Sequence, residues 1–215
     1  MLAVKATAIL SALLRIHRSV GFVATMLFSE RLSEREMLEA KGANRQSLLD
    51  ILLNDFRKAF PDLTFELQLD FAIINAQAIA LGDKRVIAIY GGLALHPKLG
   101  AEALTFIILH EVGHHLAEGC RSRRDPSLAC ECASDHWAIT AGKDRLLQKS
   151  GRRLRLPAAI EELDQIMGPG QRSKPRYTKK ASTCGCWAKG WSLRSRRLLE
   201  GAQPPTIEGH CITYV

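Results

Sequence analysis

Long apolar runs are missing from this chain. Its two N-terminal apolar stretches, Ala6 to Leu14 and Val20 to Phe28, are separated by Arg15, His17 and Arg18. Each falls short of the roughly 20 residues a spanning helix needs, which excludes a polytopic membrane architecture for these residues. No internal repeat is visible, so a solenoid or array is excluded as well. Neither C-x-C pair, Cys130/Cys132 or Cys184/Cys186, has the C-x-x-C spacing of a structural zinc site, and the sequence does not choose among the pairings of its six cysteines. Acidic residues are scarce in one region. From Gln171 to Val215 nine Lys or Arg stand against Glu200 and Glu208, so +7 of the formal +8 lies there and the remainder is nearly neutral.

That basic tail, residues 171–215, carries Trp187 and Trp191 among its charges, a composition compatible with an anionic surface or nucleic acid. It is also rich in Gly, Pro and Ser and lacks periodicity, which reads as a disordered or loosely docked extension. The N-terminal segment, residues 1–28, opens with Lys5 ahead of its first apolar run and resembles a secretory signal or anchor, without a clear cleavage site. It favours export, periplasmic or secreted, over a cytoplasmic or membrane-associated location, and an even number of cysteines suits export. Between the two, residues 29–170 form the expected domain. With 215 residues and 47% apolar content, one substantial core is the default.

The chemistry is concentrated in that central region. His110-Glu111-Val112-Gly113-His114 spells H-E-x-x-H inside Leu104 to Ala117, a stretch that reads as helix. Residues four apart on a helix share a face, so His110 and His114 can offer two imidazole nitrogens to one metal ion. Glu111 falls beside them, where it can take a proton from a metal-bound water. Leu104, Ile107, Ile108 and Val112 supply an apolar face that would bury the helix. A carboxylate entering such a segment unpaired is expensive, and a metal removes the difficulty.

A catalytic zinc usually takes three protein ligands and keeps the fourth position open. Downstream, E-x-x-S-D at Glu131 to Asp135 lies on a second expected helix beginning after Asp125-Pro126-Ser127. Glu131 and Asp135 share a face, so one can bind metal while the other hydrogen-bonds a ligating histidine.

The motif pair H-E-x-G-H and E-x-x-S-D-x-x-A resembles the gluzincin metallopeptidases that include the CAAX prenyl endopeptidases and HtpX-type membrane proteases. Upstream, Ile74-Asn75-Ala76-Gln77-Ala78 resembles that family's Asn-Ala strand, and Ile89 to Leu93 follows in the expected place. The resemblance covers about Asp70 to Thr140. It implies one Zn2+ per chain held by His110, His114 and Glu131, with Glu111 as general base and Asp135 behind a ligand. It implies a zinc-dependent endopeptidase acting on a protein or peptide, by Glu-assisted attack of a zinc-bound water. The membrane helices of those proteases are lacking, so the likeness is to the soluble catalytic core.

The strand around Ile74–Ala80 could be an edge that pairs with an extended peptide, with Asn75 the candidate residue for that strand. Tyr90, His96 and His136 are candidates for the donor that stabilises the oxyanion. The alternative function is nucleic-acid or anionic-surface binding through the basic tail, with a non-catalytic H-E-x-x-H helix. No specific nucleic acid is expected as a partner of the peptidase.

The pattern along the chain predicts an α+β fold. Ser33 to Phe60 reads as mostly helical, with Leu48, Leu49, Ile51, Leu52 and Phe56 at helical spacing. Phe65 to Ala80 and Arg85 to Tyr90 read as strands of a short antiparallel sheet, joined at Gly82-Asp83-Lys84. Helices follow at 101–117 and 128–141, and at 156–166.

Overall fold

The computed structural model describes residues 31–40, 42–122, 125–167 and 191–201. The N-terminal segment 1–28 and most of the basic tail lie outside them. The chain starts with α1 (Glu34–Ala40) and α2 (Ala43–Ala59). It continues through β1 (Thr64–Gln68), β2 (Ala76–Leu81) and β3 (Lys84–Tyr90). Next come the single turn α3 (Gly91–Ala94), the long α4 (Ala101–Leu116) and α5 (Glu131–Trp137). A π-helical stretch, Ala138–Gly142, leads from α5 into α6 (Lys143–Ser150), followed by α7 (Leu156–Met167) and α8 (Trp191–Leu199). The architecture is mixed α+β: a three-stranded sheet with several helices packed around one long central helix.

The sheet differs from the antiparallel one expected. Its order is β1-β3-β2, and β1 runs parallel to β3 while β2 runs antiparallel. The expected strand 65–80 is therefore two strands on opposite sides of β3. Residues 69–75 carry the chain across the end of β3, where Gly92 N–H donates to the Phe71 carbonyl at 2.9 Å. The crossing is tight. A Cβ on Gly91 would sit 2.3 Å from the Leu69 carbonyl oxygen, and one on Gly92 2.1 Å from that of Ala72. Only glycine permits this approach.

Both faces of β3 are buried, as its alternation shows: Ile87 and Ile89 join the main core, while Val86, Ala88 and Tyr90 pack with Ile73 and Ile79. In α2 the core face is Leu49, Leu52, Leu53 and Phe56. Ile51, expected among them, is 58% exposed because it falls off that i, i+3, i+4, i+7 stripe.

α4 is buried along almost its whole length, from Ala103 to His115. An apolar helix without a polar side is stable only when surrounded, and here β2, β3, α2, α5 and α7 surround it. Its first turn is capped from a distance: one carboxylate oxygen of Glu162, on α7, accepts the N–H groups of Gly100 and Ala103 at 2.9 Å each. A negative charge at this end also suits the helix dipole. The helix that presents the H-E-x-x-H residues is thus fixed at its start and along every side.

The tail is not wholly a loose extension. Residues 191–199 form α8, which docks on α7 through buried Trp191 and Leu198. The indole N–H of Trp191 donates to Asp164 Oδ1 at 2.5 Å.

Candidate metal centre

His110 and His114 lie one turn apart on α4, their rings 4.6 Å between centroids and nearly perpendicular. With Glu111 they make a buried group that could hold a metal ion, their ligand atoms all within 4.8 Å of one another. Each imidazole is held from behind. His110 Nδ1 is 2.8 Å from Asp135 Oδ1. His114 Nδ1 is 2.8 Å from the Ala129 carbonyl and 2.9 Å from Ser134 Oγ. A carboxylate and a carbonyl only accept, so each Nδ1 donates and each Nε2 is the nitrogen that can turn to a ligand. Ala129 grips His114 twice, since its N–H also donates to the His114 carbonyl at 2.6 Å.

Both Nε2 atoms face Glu131, from α5. His110 Nε2 is 3.2 Å from Glu131 Oε2, and His114 Nε2 is 3.4 Å from Oε1. A tetrahedral zinc with bonds of about 2.0–2.1 Å has ligand–ligand edges of roughly 3.3–3.4 Å, and these two nitrogen–oxygen separations are of that size. Glu111 also lies within range of the histidines, but one of its oxygens is engaged elsewhere: Oε2 accepts the Ala78 N–H at 2.8 Å. Glu131 presents one oxygen to each imidazole. Gly113 makes the arrangement possible, because a Cβ there would lie 2.8 Å from the Ser134 carbonyl oxygen on α5.

The electrostatics are those of a site that draws positive charge. Burial and the Arg194 charge lower the pKa of His110, yet Asp135 and Glu131 outweigh them and lift it to about 9. A metal ion can supply the same charge in place of that proton. Burial holds His114 below its ordinary value. Burial works against ionisation of Glu131 and Asp135, but the histidines and Arg194 hold Glu131 well below the usual carboxylate range and depress Asp135 too. Glu111 goes the other way. Burial pushes its carboxyl up to about 7, against the pull of His110 and the Ala78 N–H. A carboxyl poised near neutrality is suited to exchanging a proton.

The strand beside Glu111 is an open edge. β2 pairs only with β3 among the described residues. Tyr90 N–H donates to the Asn75 carbonyl at 3.1 Å, so alternation turns the backbone groups of Ala76, Ala78 and Ala80 away from β3. Asn75 precedes β2 and is fully buried, and its carboxamide finds no partner among the described residues.

Of the three candidate donors, Tyr90 is buried with its hydroxyl donating to Gln77 Oε1 at 3.2 Å. Burial, then the Glu111 charge, raises its pKa to about 12. His96 is kept away from the cluster: its charged neighbours are Lys98, Glu36 and Arg45, and its Nδ1 accepts the Lys98 N–H. His136 follows Asp135 on α5, half-buried.

One participant was missed in the sequence. Arg194 of α8 reaches Asp135 with two contacts of 2.6 Å, Nε to Oδ2 and Nη2 to Oδ1. Its Nη1 is 3.5 Å from Glu131 Oε2. Within a run of basic residues nothing marked this arginine, except that Trp191, Arg194 and Leu198 keep helical spacing. In comparisons with protein-family models, curated proteins and solved structures, the chain finds no match.

Proposed function

We propose that this protein is a zinc-dependent endopeptidase of zincin-like, gluzincin type, with His110, His114 and Glu131 as ligands. The observation that carries the reading is the convergence of two imidazole Nε2 atoms on the two oxygens of Glu131 at tetrahedral-edge distances. When bound, zinc lowers the pKa of water toward neutrality and polarises a carbonyl.

The chain's own residues supply the rest. An extended peptide segment pairs with the outward backbone groups of Ala76 and Ala80, giving main-chain recognition with little sequence preference. Glu111 is held to the same edge by the Ala78 N–H through Oε2. Its other oxygen is then the acceptor for the proton of the attacking water, and it can return that proton to the leaving amine. Asp135 and Ala129 keep the ligating rings turned with Nε2 outward. Arg194 ties one basic residue of the tail into the site, which argues against the tail acting only as a free anionic-surface binder. Cys132 is disulfide-bonded, as suits an exported protein in an oxidising compartment. Among the described residues no helix is long and apolar enough to cross a membrane.

The test is Glu111→Gln, assayed with zinc-reconstituted chain on unstructured casein. Cleavage by wild type and its loss in the variant, at unchanged zinc content, is the expected result. Equal cleavage by both would sink the reading.

A further inference from the structure

The metal ligands come from α4 and α5, but the positive charge beside them comes from the C-terminal helix. Among the described side chains of α8, Trp191, Ser195 and Leu198 are buried and Arg194 is largely covered, at i, i+4, i+7 and i+3 of one stripe. Trp191 and Leu198 dock the helix, and Arg194 lies between them with its side chain only 10% exposed. The guanidinium engages Asp135 through two parallel contacts, the fork geometry that fixes a carboxylate's plane as well as its position. Its Nη2 lies 2.9 Å and 3.3 Å from the two ring nitrogens of His110, so it sits against the ring rather than in line with either nitrogen. Arg194 also supplies a counter-charge to two carboxylates at once, Asp135 at 2.6 Å and Glu131 at 3.5 Å. Without Arg194 a buried carboxylate is left uncompensated, which is costly.

We propose that Arg194 is a positioning residue of the metal centre, so that the docked C-terminal helix is part of it. Arg194 clamps Asp135, Asp135 holds the His110 ring with Nε2 facing Glu131, and the ligand set is preformed before the ion arrives. This rests on the zinc site proposed above. A like-charge effect opposes it, since a guanidinium near a cation repels it. The pairing of Arg194 with both Asp135 and Glu131 offsets that repulsion.

The experiment measures zinc affinity of the full-length chain by competition with a chromophoric chelator, alongside the visible spectrum of the cobalt(II)-substituted protein. Wild type is compared with Arg194→Ala, Arg194→Lys and Arg194→Ala/Asp135→Asn. Arg194→Ala is expected to weaken zinc binding about 10- to 100-fold, the usual size of losing a ligand's supporting partner, and to change the cobalt spectrum. Millimolar guanidinium chloride should restore part of the affinity and sodium chloride should not, a rescue that a merely structural role would not give. Arg194→Lys keeps charge without the fork and should fall between; it carries the test if the alanine variant does not fold. Adding Asp135→Asn to Arg194→Ala should cost little more, because both act through one contact. Zinc binding by Arg194→Ala equal to wild type overturns the proposal, and tighter binding overturns it in favour of a helix that blocks the site. A wild-type chain that binds no zinc overturns the zinc reading itself, and this proposal with it.

Discussion

α4 and α8 meet at the same cluster of charges, yet they are held in opposite ways. α4 is buried from Ala103 to His115, capped by Glu162 and enclosed by sheet and helices. On α8, among the described side chains, Trp191, Ser195 and Leu198 are buried, while Leu199 is 54% exposed and Arg196 faces solvent. Two of the three residues proposed to bind the ion, His110 and His114, thus sit on the enclosed α4, and the counter-charge sits on the less covered α8. Local stability follows the number of buried apolar contacts, so α8 can open while α4 stays formed. Ligand geometry and charge balance are separable in this molecule, and the two helices can be perturbed one at a time.

The largest effect is expected at α4. Gly113→Ala places a Cβ against the Ser134 backbone, and moving α5 away should destabilise the chain by about 1–3 kcal/mol, read as a lower urea midpoint. Between the two helices, Asp135→Asn should weaken zinc binding about 10- to 100-fold in chelator competition. At α8, Trp191→Ala removes the docking side chain. Hydrogen exchange should then lose protection over residues 191–199 while 101–116 remains protected; a uniform loss over both would show that α8 is no separate unit. Smallest is Leu199→Ser on the exposed side, which should change stability by less than about 0.5 kcal/mol. A larger loss would mean that α8 is covered on that face too.

The two helices also differ in how much of them could be read from sequence. In α4 spacing and surroundings agree: two histidines four apart inside an apolar run share one buried face whether or not the rest of the fold is known. E-x-x-S-D works similarly, and the structure brings Glu131 and Asp135 to opposite sides of His110. Arg194 has only the helical spacing of Trp191, Arg194 and Leu198 as a local sign. A buried arginine is recognisable only by its partners, and these lie 59 residues away at Asp135 and on another helix. The same cause explains the sheet. Residues 65–80 carry apolar residues throughout, so nothing in the local pattern marks where the chain leaves β1, and the parallel pairing depends on a contact made only after β3. Ile51 was misplaced for a simpler reason: with apolar residues at 48, 49, 51, 52 and 53, several stripes fit, and tertiary packing selects one.

The proposed metal centre is tested most directly by elemental analysis of the metal content of the purified, zinc-reconstituted chain, with Glu131→Gln and His110→Ala/His114→Ala beside it. About one zinc per wild-type chain is expected, less in Glu131→Gln and none in the double histidine variant. Wild type without zinc, or zinc unchanged when both histidines are gone, would contradict the proposed centre.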